Sequence, residues 1–237
     1  VTTAPLETTA SAVPLSLRGA GVDFDGRPAL DGVDLDLHRG ALTVVAGPNG
    51  AGKSTLLEVI AGTRPLSRGT RSGSPVTAFV PQRAAVSDRL PVTVRDVVTV
   101  GTWGRSAAGD SSTGSAGRVG RASRASRGAR ARGDVAAAME SLEITRLASL
   151  PFSSLSGGQR QRALLAQGLV RGAEMLLLDE PTTGLDSDSA GLIRDIMRSE
   201  ARRGVAVACV SHDAGVLGIA DRVVRLEHGA VVPGATL

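Results

Sequence analysis

Residues Gly47-Pro48-Asn49-Gly50-Ala51-Gly52-Lys53-Ser54-Thr55 form a glycine-rich run ending in a lysine and two hydroxyls. The pattern G-x-x-x-x-G-K-[ST] suits the holding of nucleoside triphosphate phosphates. Its glycines let backbone N–H groups approach phosphate oxygens, and the helix that opens inside the run adds its dipole. Lys53 is placed to neutralise the β and γ phosphates, and Ser54 to ligate Mg²⁺. Lys53 is also the only lysine among 27 basic residues. In so arginine-rich a chain, that lysine suggests a geometric demand. A compact ammonium fits between phosphate oxygens where a planar guanidinium does not.

Two further groups complete the chemistry. The run Met175-Leu176-Leu177-Leu178 carries Asp179-Glu180 at its end. In a parallel sheet, ligands gather at the carboxyl ends of strands. Asp179 is expected to hold Mg²⁺ through water, and Glu180 to act as general base on the attacking water. Leu155-Ser156-Gly157-Gly158-Gln159 is a second glycine segment at a helix start, where exposed amides favour an anion. A protein that only binds a nucleotide has no need of it. The two glycine segments together imply ATP held in a sandwich between two subunits.

The elements that position these groups are legible in outline. Residues 15–24 and 31–38 alternate apolar with polar residues and predict an antiparallel sheet, with Gly26-Arg27-Pro28 in the connection. Residues 42–46 predict a buried strand, and 53–61 a helix stopped by Gly62. A strand over 76–80 ends at Pro81, and a helix over 93–100 has Thr93 near its start. Helices are predicted over 134–147, 156–171, 187–203 and 214–219. Strands are predicted over 175–178, 205–210, 222–226 and 230–232. Apolar strands separated by helices give a mainly parallel sheet covered on both faces, an α/β fold.

Composition bounds the rest. The chain has 237 residues, 42% of them apolar, and a net charge of +4. That is ample for one domain with a sizeable core. No run approaches a membrane span, and residues 1–14 lack the pattern of a signal peptide and are expected to be disordered. Cys209 sits in an apolar run and reads as a buried thiol. Residues 104–133 are almost entirely Gly, Ala, Ser and Arg, with Arg105, Arg118, Arg121, Arg124, Arg127, Arg130 and Arg132 among them. This composition predicts a disordered insertion, either a solvated linker or a contact for nucleic acid or anionic lipid.

The order phosphate loop, Gln82, Leu155–Gln159, Asp179-Glu180, Asp186 and His212 resembles the ATP-binding subunit of ABC transporters, over residues 15–232. The five-residue Leu-Ser-Gly-Gly-Gln segment is its most specific element. The resemblance implies a RecA-like P-loop ATPase core with an antiparallel β-subdomain and a helical subdomain over about 83–158, all within one ATP-binding domain over 15–237. It implies that Phe24, where the family usually has tyrosine, stacks on adenine; the alternative is a core phenylalanine. It implies that Gln82 contacts Mg²⁺ and relays to the membrane partner. Ser156, Gly157, Gly158 and Gln159 would meet the γ-phosphate held by the opposing subunit. Gly184-Leu185-Asp186 would communicate across the dimer, and His212 would contact the γ-phosphate. Lys53, Glu180 and His212 are then the catalytic set.

The implied cofactors are ATP and Mg²⁺. The implied partners are a second copy of the chain, multi-span permease subunits and, indirectly, an extracytoplasmic substrate-binding protein, with no nucleic acid. Such a subunit works at the cytoplasmic face of the cell membrane. The stretch from Phe79-Val80-Pro81-Gln82-Arg83 to Trp103-Gly104-Arg105 is similar to zinc and manganese importer ATPases. Trp103 would then sit at the permease contact or simply pack. The alternatives are an ABC ATPase for an iron chelate or for export, or a soluble ABC-type ATPase acting on ribosomes or DNA.

Overall fold

Three short apolar strands set the centre of the molecule. In the computed structural model, which describes residues 13–82, 90–103 and 121–232 (side chains within the helix from 121 onward only from 129), they are β3 (Leu42–Ala46), β6 (Met175–Asp179) and β7 (Ala206–Val210). Each is buried along nearly its whole length, as strands covered on both faces must be. With β5 (Thr77–Val80), β8 (Arg222–Glu227) and β9 (Ala230–Val231) they form a sheet of order β5-β6-β7-β3-β8-β9. All neighbours are parallel except β8 and β9.

Side chains alternate between two cores, as the pleat requires. On one face, Val44, Leu176, Leu178, Val207 and Cys209 pack with α2 (Val94–Val100), α3 (Arg121–Ser141), α4 (Gly157–Val170) and α5 (Ser187–Arg202). On the other, Val45, Leu177, Ala208 and Val210 pack with α1 (Lys53–Ala61) and the antiparallel sheet. That sheet has order β2-β1-β4, from β1 (Leu15–Phe24), β2 (Arg27–Leu37) and β4 (Arg68–Ser72). A short helix, α6 (Ala214–Leu217), precedes β8. The phosphate-loop helix α1 thus sits between the two sheets.

Four sequence expectations need correction. Arg27 and Pro28 lie in β2 rather than in the connection, because the turn is only Asp25-Gly26, with φ of 48° and 77°. Two central residues at positive φ make the primed hairpin turn that matches strand twist. The helix read from 134 begins at Arg121, inside the Arg/Gly/Ser/Ala-rich stretch. Alanine and arginine are good helix formers, and Val135, Ala138 and Met139 anchor this helix in the core. That helix stops at Ser141, Glu143 takes φ 54°, and a separate 3-10 turn covers Thr145–Leu147. Finally, β4 was not predicted at all. Residues 104–120, Arg83 and most of the N-terminal segment (1–12) lie outside the described residues.

Candidate functional site

The phosphate loop lies where β3 ends, and two of its glycines, Gly47 and Gly52, are dictated by close backbone packing. A Cβ on Gly47 would stand 2.1 Å from the Leu226 carbonyl oxygen. One on Gly52, at φ 96°, would stand 2.4 Å from the Ala29 carbonyl oxygen. Lys53 turns back over the loop, donating from Nζ to the carbonyls of Gly47 at 2.8 Å and Pro48 at 2.9 Å. Its charge is thereby held over the loop that the sequence assigns to phosphates. The backbone of Ala51 is tied in as well, its carbonyl accepting from Gly229 N–H at 3.1 Å.

Neighbouring strand ends bring the acids to the same place. Asp179 pairs in register with Val210, and Val210 with Val45, so Glu180, His212 and Gly47 all lie just past adjacent parallel strands. Beside them is a cavity of about 450 Å³ lined by Ala29, Asn49, Gly50, Gly52, Lys53, Ser54, Thr55, Gln82, Asp179, Glu180, Val210 and His212. Ser54 Oγ donates to Asp179 Oδ2 at 3.2 Å. Burial pushes the Asp179 carboxyl above its ordinary value; the Ser54 hydrogen bond opposes this, and the charge of Glu180 adds to it. A hydroxyl and a carboxylate, with the Gln82 carboxamide on the same wall, form a hard-oxygen donor set that suits Mg²⁺. Among the described residues no cluster of three His, Cys, Asp or Glu suits a transition metal.

Glu180 is held at both carboxylate oxygens. His212 Nδ1 lies 3.0 Å from Oε1, which fits the tautomer with its proton on Nδ1. Thr183 Oγ1 donates to Oε2 at 2.9 Å. The Glu180 side chain is 12% exposed while that of His212 is 73% exposed, so the imidazole stands between the acid and solvent. The Glu180 backbone takes φ 49°, its N–H donating to the Val210 carbonyl at 2.9 Å. A non-glycine residue in that region is uncommon and concentrates at functional sites. Thr183 is a contact that the sequence reading missed; the only signal was a hydroxyl three residues after the acid, across Pro181.

The other predicted residues lie elsewhere. Ser156 caps α4 and accepts from the Gln159 N–H at 3.3 Å, while Gln159 Oε1 accepts from the Ser156 N–H at 3.0 Å. This reciprocal capping box fixes the segment at an exposed helix start. Ser156, Gly157, Gly158 and Gln159 are not among the residues lining the cavity. Asp186 caps α5; the Ser189 amide at 2.8 Å and the Ser189 hydroxyl at 2.9 Å hold its carboxyl below the usual range. A Cβ on Gly158 would meet that same Ser189 hydroxyl at 3.2 Å, so the starts of α4 and α5 are packed together. Phe24, at the end of β1, is 41% exposed and does not line the cavity. The Arg64 guanidinium lies over its ring, 4.6 Å from the centroid. Cys209 is buried as expected, and burial pushes its thiol well up, leaving it protonated and inert.

Known proteins resemble this chain over most of its length. The ABC transporter family model matches residues 30–183. A hemin import ATP-binding protein of Streptomyces coelicolor is 38% identical over 232 residues, covering 91% of this chain and 75% of that protein. A zinc import ATP-binding protein of Magnetococcus marinus is 35% identical over 221 residues, covering 92% of this chain and 75% of that protein. Among solved structures, an ABC transporter in an inward-facing conformation superposes with a TM-score of 0.74 at 25% identity, covering 93% of this chain and 82% of that one. No helix among the described residues is long and apolar enough to cross a membrane. The chain belongs to the ABC transporter family, as an ATP-binding subunit and ATPase.

Proposed function

We propose that this chain energises the import of a metal, as the free divalent ion or as a chelate, by hydrolysing ATP between two of its copies. One observation carries the sandwich. The phosphate cavity gathers Lys53, Ser54, Asp179, Glu180 and His212, yet the capped Ser156–Gln159 segment, exposed at Ser156 and Gly157, lies outside it. A helix start whose amides favour an anion, and which lies outside the protomer's own phosphate cavity, is suited to the phosphates of a second copy. The metal cargo is suggested by the hemin and zinc import names of the relatives. It does not rest on any metal-binding cluster in this chain.

The residues divide the work as follows. Backbone N–H groups of the loop and the Lys53 ammonium bind the β and γ phosphates, displacing the carbonyl contacts that Lys53 now makes. Ser54, Asp179 and Gln82 would hold Mg²⁺, which neutralises charge on the phosphate oxygens. Glu180 orients the attacking water and takes its proton at a carboxylate oxygen. His212, hydrogen-bonded to that carboxylate through Nδ1, contacts the γ-phosphate through its other ring nitrogen, which donates when the imidazole carries both protons. Phe24 stacks on adenine, and Asp186 fixes the loop that faces the opposing copy. Rate acceleration comes chiefly from prepositioned charge. Closure of the pair around two ATP moves the permease, and hydrolysis reopens it.

Co-purification from gently solubilised membranes tests this reading. A multi-span permease in near-equal amount, with ATPase activity stimulated by a metal-loaded binding protein, is the expected result. Recovery of ribosomal proteins or nucleic acid with no membrane protein would refute it.

A further inference from the structure

The contact between Arg64 and Phe24 is not used by the chemistry above. Arg64 lies just beyond α1, and it is held there at two points. Its Nε donates to Glu58 Oε2, and its backbone N–H donates to the Glu58 carbonyl at 3.3 Å. Glu58 belongs to α1, the helix that opens in the phosphate loop. From that anchor the guanidinium lies over one face of the Phe24 ring, 4.6 Å from its centroid. The same connection grips the residue before Phe24. Asp23 N–H donates to Ser67 Oγ at 3.0 Å, and the Asp23 carboxylate accepts from Arg68 at 2.9 Å. Phe24 itself has no polar atom with which to tether its ring, and it remains 41% exposed.

We propose that Arg64 is a positioning residue for the nucleobase: it backs one face of Phe24 and ties that ring to the phosphate-loop helix, so that adenine stacks on the other face at a fixed span from the phosphates. Three layers result: guanidinium, phenyl and adenine. Glu58 balances the cation, so the layer adds no net charge beside the base. A cation on one face also draws the ring's π density toward itself. The opposite face is then better suited to an electron-rich purine. The proposal rests on the reading of Phe24 as the base platform.

The test separates the two. Calorimetry on the full chain would measure affinity for ATP and for inorganic tripolyphosphate, which has phosphates but no base. The proteins are the parent, F24A, R64A, R64K and the F24A/R64A double variant. We expect R64A to weaken ATP binding about two- to fivefold, the range of an exposed cation–π contact. Tripolyphosphate affinity should not move, R64K should recover part of the loss, and R64A should add nothing in the F24A background. If F24A weakens ATP binding while R64A leaves it unchanged or tightens it, the platform stands and the role of Arg64 is refuted. Equal losses for ATP and tripolyphosphate in R64A, or additive losses in the double variant, also overturn it. Unchanged ATP affinity in F24A refutes the platform itself and takes the proposal with it.

Discussion

Gly52→Ala separates backbone demand from ligand demand in the phosphate loop. Gly52 sits at φ 96°, and a Cβ there would stand 2.4 Å from the Ala29 carbonyl oxygen and 3.0 Å from Leu30 Cδ2. The left-handed conformation costs an L-residue about 1–2 kcal/mol. Relief of the overlap requires backbone movement, typically about 1–3 kcal/mol more. The expected loss is therefore about 2–5 kcal/mol in nucleotide-free protein. Gly50 is the control: its φ is 79°, and a Cβ there meets nothing within 4 Å. Gly50→Ala should cost only the conformational part, about 1–2 kcal/mol. Urea denaturation of the two variants and the parent without nucleotide measures both losses. Gly52 also precedes the first residue of α1, so movement there displaces Lys53, and ATP affinity should fall further in G52A than in G50A. Equal stability of the two variants, within about 0.5 kcal/mol, would refute the packing argument.

Other consequences follow from the same geometry. Thr183→Val removes the hydroxyl that donates to Glu180 Oε2 while keeping the shape; steady-state kcat should fall roughly two- to tenfold, with T183S restoring it, and unchanged kcat in T183V would remove Thr183 from the mechanism. Asp179→Asn should raise the melting temperature of the nucleotide-free protein at neutral pH while impairing Mg²⁺-dependent hydrolysis. The sign comes from burial, which raises the folded Asp179 pKa above its unfolded value. The folded chain therefore takes up that proton first, and the ionised form is a penalty that fades as pH falls through the raised value. The melting advantage of D179N should shrink on acidification; an advantage that grows would contradict the assignment.

Much of the site was legible because its elements carry strong local signals. The bounds of β3 and α1 match the sequence reading residue for residue, since a run apolar but for Thr43 and a terminal glycine leave little choice. Thr93 caps α2 with Asp96 as its partner, a local pattern. What escaped has no local signal. β4 reads Arg-Gly-Thr-Arg-Ser, with no apolar residue; its place on the sheet edge comes from pairing with β1 and from Arg68 bridging Asp23 and Asp31. The early start of α3 was hidden by a composition that resembles disorder yet is rich in helix formers. The Glu180–His212 contact joins the ends of adjacent strands, and Arg64 reaches Phe24 from another connection. Such meetings are set by tertiary packing, which spacing along the chain does not encode.

The sandwich itself is tested most directly by sedimentation of Glu180→Gln, which keeps the nucleotide site but removes the base. With saturating ATP and Mg²⁺ it should sediment as a dimer, and without ATP as a monomer. Ser156→Arg added to that variant should bind ATP yet stay monomeric. E180Q that binds ATP and remains monomeric, or that dimerises equally well with Arg at position 156, would contradict the account.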